Sequence, residues 1–338
     1  MSSSPDRERL DESYRYCHFS CRKFQSNFFK AFSLLPRNKR QAMCVLYAFN
    51  RLTDDLADAS FEADFDGYSS IANAEDAARI ALPHKQRRIR WWRSMFRLAL
   101  QHDFTEEDER ICLNIQPDTD LNLTTVMILP SLIDMVEHYQ IPRKYLIDVI
   151  DGVEMDLTKN RYQTFAELQL YCERVASAVG LACIHIWGFE GRGKPEAETV
   201  FELARKVGIA YQLTNILRDV KEDAALDRVY LPLEEISAAG YSVEELKNGI
   251  VNPAFEKLMR TQLDRTEDYY RAGRELYARL KPDGKKIFGL MTATYHAISK
   301  KIAAHPAAVF TKRIRPGAFA RLRLIAKWTC FTPRELIL

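Results

Sequence analysis

The sequence predicts an all-α protein, and three observations support that prediction. Glycine and proline number only 13 each in 338 residues, so sharp turns are few and elements long. Apolar residues recur at steps of three and four from Asp11 onward, which is the helical period. There is no alternation of strands with helices, no internal repeat and no low-complexity linker. Hydrophobic residues make up 47% of the chain and aromatics 11%, ample for a sizeable core and against disorder. One large domain of about ten to thirteen helices is expected, spanning residues 11–310, after a polar tail over 1–10 and before a basic segment over 311–338.

The elements follow in order. Phe28, Phe32 and Leu35 keep helical spacing up to Pro36. A second helix from Asn38 presents Ala42, Val45, Leu46, Phe49, Leu52 and Leu56. Residues 64–73 read as a loop. Residues 74–102 form one or two helices in which Ile89, Trp92, Phe96 and Ala99 make a buried stripe. The arginines between 85 and 97 then lie on the other face, so this basic-aromatic stretch is an ordinary amphipathic helix and not a nucleic-acid surface. Further helices are expected at 105–115, 124–139, 143–157, 165–189, 195–223, 233–247, 253–281, 283–304 and 316–328. Connecting loops hold Pro117, Pro130, Pro142, Pro195, Pro232, Pro253, Pro282 and Pro306. The glycines at 188, 191 and 193 follow a helix and read as its end and a turn, not as a nucleotide loop.

Charge and cysteine content narrow the classes. Lys and Arg total 49 against 46 Asp and Glu, a net charge of +3. Proteins that bind nucleic acid through phosphates usually have a larger basic excess, so no nucleic-acid partner is expected. Seven cysteines, an odd number without C-x-x-C spacing, read as reduced buried thiols of a cytoplasmic protein. Cys17 and Cys21 share a helix face, but no histidine completes a metal site. The polar first ten residues predict no secretory signal, and no uncharged run nears the roughly 18–20 residues that span a bilayer.

Two acidic clusters stand out. In Arg51-Leu-Thr-Asp54-Asp55-Leu-Ala-Asp58, Asp54 and Asp58 lie one turn apart, with Arg51 and Tyr47 on preceding turns. In the second, Gln212, Asn215, Asp219 and Asp223 step by three, four and four along one stripe, with Arg218 and Glu222 beside it. Like charges at this spacing destabilise an isolated helix, and the first cluster interrupts an apolar segment. Carboxylates one turn apart on two helices suit Mg²⁺, a hard cation commonly held by one or two carboxylates plus phosphate oxygens. Asn215 adds a neutral oxygen, and Arg51, Arg218 and Arg228 supply donors for phosphate. Ionisation of an allylic diphosphate needs this set beside a dry apolar cavity that shields a carbocation. A two-metal hydrolase and a structural helical protein are the alternatives. The seven histidines show no pairing with the acidic clusters, which speaks against the hydrolase.

These residues, in this order, resemble the squalene/phytoene synthase family of head-to-head prenyl transferases, across roughly residues 13–315. Tyr47 to Asp58 resembles the family's first aspartate-rich region. Asp151 to Leu157 is similar to its Gly-x-x-x-Asp segment, and Tyr171 to Gly180 resembles its small-residue helix. Gln212 to Asp223 with Arg228-Val-Tyr230-Leu-Pro232 looks like the second aspartate-rich region and its exit loop. The resemblance implies an isoprenoid synthase fold with a central cavity. It implies Asp54, Asp58, Asn215, Asp219 and Asp223 around Mg²⁺ (or Mn²⁺) and two prenyl diphosphates. Arg51, Arg218 and Arg228 match diphosphate-binding positions; Asp55, Gln212, Glu222 and Tyr230 adjoin them. Tyr47 and Tyr295 match aromatic positions near the reacting carbons, and Ala176 and Gly180 would let prenyl tails pass a helix backbone.

One departure bears on the product. Many members have Ser-x-Ser-Phe where this chain reads Gln25-Ser26-Asn27-Phe28, and an Asn-Phe there resembles the bacterial hopanoid-pathway branch. The second aspartate-rich region looks more like the presqualene- or phytoene-forming branches. The expected reaction joins two farnesyl diphosphates into presqualene diphosphate and a C30 product (squalene, dehydrosqualene or hydroxysqualene). Phytoene formation from geranylgeranyl diphosphate is the alternative within the family, and a non-catalytic assembly factor the alternative outside catalysis. NADPH is implied only for a squalene product. A monomer or a homodimer is equally compatible. The basic amphipathic stretch 312–327 reads either as a solvated terminal helix or as contact with the anionic inner face of the membrane.

Overall fold

The structure is a computed structural model that describes residues 5–23, 27–58, 74–100, 119–331 and 333–336. The expected helix 105–115 and loop 64–73 lie outside the described residues. Among the described residues there is no β-strand, only isolated bridges of Arg161 with Val229 and of Phe189 with Leu280. Two compact units form, residues 1–158 and 159–338.

In the first unit, α1 (Pro5–Lys23) begins within the segment expected as a tail. Proline is tolerated at the first helical position because that N–H lacks a partner anyway, so residues 5–10 extend the helix. The short α2 (Asn27–Phe32) leads to α3 (Arg37–Asp58), which packs against α4 (Ala74–Ala99), α5 (Thr119–His138) and α6 (Arg143–Thr158). The expected stripe of Ile89, Trp92, Phe96 and Ala99 is buried. Trp92 donates from Nε1 to Thr53 Oγ1 at 3.0 Å, while Phe49 lies 5.7 Å from both the Trp92 and Phe96 rings. The α1–α5 contact holds a polar knot: Ser13 Oγ donates to Met127 O at 2.6 Å and receives the Ser131 backbone N–H at 3.0 Å. Pro130 lies inside α5 and not in a loop. That helix is apolar, and burial of Ile128, Leu129, Leu132 and Met135 outweighs the lost backbone bond.

In the second unit, a helical run over 165–187 comprises α7 (Phe165–Cys172), a π-helical turn (Glu173–Ser177) and α8 (Ala178–Trp187), ending at Gly188. Next come α9 (Ala197–Arg218) and α10 (Val220–Ala225), then α11 (Leu233–Ala239) and α12 (Val243–Lys247). The long elements α13 (Pro253–Arg279) and α14 (Pro282–Ala304) precede α15 (Ala318–Cys330). α9 is the centre of this unit, packing against α7, the π turn, α8, α13 and α14.

Two expected single helices are broken. The 233–247 helix stops at Gly240, which takes the left-handed conformation at φ 77°, and restarts with a capping box between Ser242 and Glu245. The 195–223 helix breaks at Asp219, with φ −101° and ψ 15°.

The π turn has a cause in packing. A Cβ on Gly208 of α9 would lie 2.5 Å from the Ser177 Cα, so only glycine lets the two backbones meet. Ser177 Oγ then donates to the Arg205 carbonyl at 2.7 Å. The extra residue of the turn fits this approach, and such turns often mark functional helices.

Candidate active site

In the first unit the site residues lie on α3. Leu52, Thr53, Leu56 and Ala57 are buried, which turns Tyr47, Arg51, Asp54 and Asp55 to the other face. Tyr47 and Asp55 are half-buried, and Arg51 and Asp54 are exposed. Arg51 pairs with Asp55: Nε donates to Oδ2 at 3.0 Å and Nη2 lies 2.6 Å from Oδ1. This bidentate pair one turn apart presents a guanidinium and a carboxylate together. The side chains of Asn27, Phe28 and Asp58 lie outside the described residues. Beside α3, Arg93 of α4 bridges Asp151 at 2.8 Å and Glu154 at 2.5 Å on α6. Burial pushes the Glu154 carboxyl up, but hydrogen bonds and charge from Arg93 and Arg90 outweigh it and leave the group below the ordinary range. Sequence reasoning had not found this clamp, because an arginine and an acid 61 positions apart leave no local signal.

In the second unit the acidic region straddles the α9–α10 break. Backbone bonds from Asp219 N to Asn215 O and from Asp223 N to Asp219 O, both 2.9 Å, keep the step of four across it. Arg218 grips Asp219 with both arms, Nε donating to Oδ1 at 2.7 Å and Nη2 to Oδ2. Arg313, from the segment before α15, reaches the same carboxylate, its Nε 3.3 Å from Oδ1. Burial lowers the Arg218 pKa, but the Asp219 hydrogen bond and charge raise it further, so the net shift is upward. Asn215 Nδ2 donates to Gln212 Oε1 at 3.2 Å, while its Oδ1 is buried with no hydrogen-bond partner among the described groups. Asp223 is half-buried and Glu222 exposed.

Around this region lie aromatic rings. Tyr295 of α14 stacks on Tyr211 of α9 with centroids 4.6 Å apart, and the Tyr211 hydroxyl pairs with Thr292 Oγ1 at 2.7 Å. Burial raises the Tyr295 pKa, with Arg218 opposing it, so the phenol stays neutral. Tyr230 is buried and stacks on both Tyr171 at 5.2 Å and Tyr162 at 5.7 Å. Ala176, in the π turn, and Gly180 are half-buried. Tyr211 was not predicted from the sequence, since its hydroxyl partner lies 81 positions away, and neither was the pairing of Arg313 with Asp219, 94 positions apart.

The loop that leaves the acidic region is fixed by Asp227, a non-glycine residue at φ 56°. Its carboxylate meets Lys247 at 2.8 Å, Arg161 at 2.5 Å and Asn160 at 3.2 Å. Arg228 N then bonds Asp223 O at 2.9 Å. Hydrogen bonds from Lys247 and Arg161 lower the Asp227 pKa to about 2, from an ordinary 3.8. A depressed carboxylate stabilises the fold above its unfolded pKa and loses that contribution as pH falls through the folded one. Urea midpoints should therefore fall for this chain between pH about 4 and about 2, and Asp227→Asn should flatten that part of the curve. An unchanged acid limb would reject this role for Asp227.

A magnesium ion would meet oxygen donors of the right kind here. The orphaned Asn215 Oδ1 is the observation that favours a cation, one turn before a carboxylate whose present partners are guanidinia. Among the described residues no three His, Cys, Asp or Glu side chains converge as a ready metal cage.

Each unit thus has a helical scaffold with an aspartate-bearing helix and guanidinia beside its carboxylates, and the second adds stacked tyrosines. Solved structures agree on the fold: a dehydrosqualene synthase superposes with TM-score 0.70 at 22% identity, covering 96% of this chain and 98% of that one. A squalene synthase from Alicyclobacillus acidocaldarius gives 0.63 at 20%, covering 87% and 94%. The family model Squalene/phytoene synthase matches residues 21–320, and the chain belongs to that family of prenyl transferases. A 15-cis-phytoene synthase from Synechococcus elongatus is 32% identical over 312 residues, 90% of this chain and 88% of the relative. Phytoene synthase 1 of Arabidopsis thaliana is 30% identical over 313 residues, 93% of this chain but only 65% of the relative's length.

Proposed function

We propose that this chain condenses two prenyl diphosphates head to head, forming a cyclopropyl diphosphate that rearranges to a linear hydrocarbon-type product. The observation that carries the reading is the second acidic region. Asp219 lies between two guanidinia, one turn after a buried amide oxygen with no hydrogen-bond partner among the described residues. Such a set accepts a diphosphate and its counter-cation together. Asp54 and Asp58 on α3, and Asn215, Asp219 and Asp223 on α9–α10, would hold magnesium, which lends positive charge to a departing diphosphate. Arg51 would turn from Asp55, and Arg218 from Asp219, to grip phosphate oxygens, with Arg228 beside them. The Tyr295 ring offers its face to a developing allylic cation, and a neutral phenol there adds no competing nucleophilic anion. The double bond of the second prenyl chain attacks that cation. The proton lost on ring closure goes to the released diphosphate, so no side chain need be a strong base; departure of the second diphosphate then opens the ring, and the cation ends by losing a proton, by taking up water, or, for squalene, by accepting hydride from NADPH.

Two substrates have separate support. The Asn27-Phe28 pair favours farnesyl diphosphate, and the relatives at 30–32% identity, named as phytoene synthases, favour geranylgeranyl diphosphate. Incubating the purified protein with each in turn, with Mg²⁺ and with or without NADPH, separates them by product mass. A C30 product assigns the first, a C40 product the second, and NADPH matters only if the C30 product is squalene.

A further inference from the structure

Charge is segregated along this chain. Between Asp283 and Glu335 lie 51 residues with eleven Lys and Arg and no acidic residue, whereas the other 287 carry 38 basic against 46 acidic residues. The end of that stretch is α15. One face of this helix is anchored: Trp328 is fully buried, edge-on to Tyr277 at 5.8 Å between centroids. The opposite face holds Phe319, Leu322 and Ala326, which the helical period stacks on successive turns. Phe319 is 80% exposed, Leu322 64%, and Phe331 just beyond the helix 69%. Arg315, Arg321, Arg323 and Lys327 around them are all exposed.

A solvated terminal helix would present polar residues outward. This one buries a tryptophan and turns a phenylalanine and a leucine to solvent within a ring of cations. We infer that the outer face of α15 docks on an anionic lipid bilayer, with Phe319, Leu322 and Phe331 entering the acyl boundary and the surrounding cations meeting headgroup phosphates. Exposed apolar tips among basic residues match that interface, which rewards both burial and positive charge. A nucleic acid would use the cations alone and leave Phe319 and Leu322 in water. The inference goes beyond the proposed reaction and does not depend on it, since binding needs no turnover.

The test is flotation of the full chain with vesicles of phosphatidylcholine alone and with added phosphatidylglycerol, at low and high salt. Binding to the anionic vesicles only, weakened by salt, is expected. Phe319→Ser with Leu322→Ser should lower partitioning at least about tenfold, and each of Arg321→Gln, Arg323→Gln and Lys327→Gln about fivefold. These positions are exposed, so circular dichroism should not change. In a Phe319→Trp variant, fluorescence should shift to the blue on binding. Absence of binding, equal binding to neutral vesicles, or anionic binding indifferent to the double serine change would overturn the inference. Tight binding of RNA that survives the serine changes would assign the patch to nucleic acid instead.

Discussion

Replacing Asp219 by alanine should reduce turnover by about 10³-fold or more while leaving far-UV circular dichroism unchanged. The carboxylate is gripped by both Arg218 and Arg313, and in the proposed reaction the donors it organises would meet the charge of a leaving diphosphate. Removal of a single preorganised charge-stabilising group commonly costs 10²–10³-fold; under the proposed reaction this change would remove a cation ligand and two guanidinium anchors together, at or above that range. Asp54→Ala on α3 should act in the same direction. Asp219→Asn keeps the shape and loses the charge, so it separates packing from chemistry. Near-wild-type activity in either Asp219 variant would reject the assignment of this residue to the diphosphate and metal.

The second large effect is structural. Gly208→Ala should destabilise the protein by about 3 kcal/mol and disturb the π turn over Glu173–Ser177. In an ordinary helix interior this change stabilises by up to about 1 kcal/mol, so the sign itself is diagnostic. The new methyl would sit 2.5 Å from Ser177 Cα and 2.7 Å from its backbone N. Backbone on both sides leaves no flexible end to move, and α9 or the π turn must shift. Thermal unfolding measures the effect; a midpoint equal to or above that of the parent chain would contradict the close approach.

These two residues also show what a sequence reveals and what it hides. The spacing of Asp54 with Asp58, and of Asn215 with Asp219, is local and helical, so both acidic regions could be read directly. So could the Ile89, Trp92, Phe96 and Ala99 stripe, because burial follows the helical period. The break at Asp219 could not: backbone bonds of the helical type continue across it, and the stripe looks unbroken in sequence. Nor could the pairing of Arg51 with Asp55, since Arg51 has acidic residues at both three and four positions ahead and only the side-chain geometry decides. Gly208 carries no local signal, because its reason is a backbone 31 positions away. Pro130 was placed in a loop by a local rule that tertiary burial overrode. The start of α1 at Pro5 was missed because a polar sequence lacks the apolar period that marks a helix. Arg313 acts from 94 positions away, and only the folded chain brings it to Asp219.

The most direct test of the central claim follows diphosphate release and product together. Purified protein is given farnesyl diphosphate or geranylgeranyl diphosphate, with magnesium or with a chelator. The proposed reaction predicts magnesium-dependent release from at least one of them. It also predicts a product made of two prenyl units joined head to head, as a hydrocarbon-type product or its cyclopropyl diphosphate. No release from either substrate in the presence of magnesium would contradict it, as would hydrolysis to the prenyl alcohol with no coupled product.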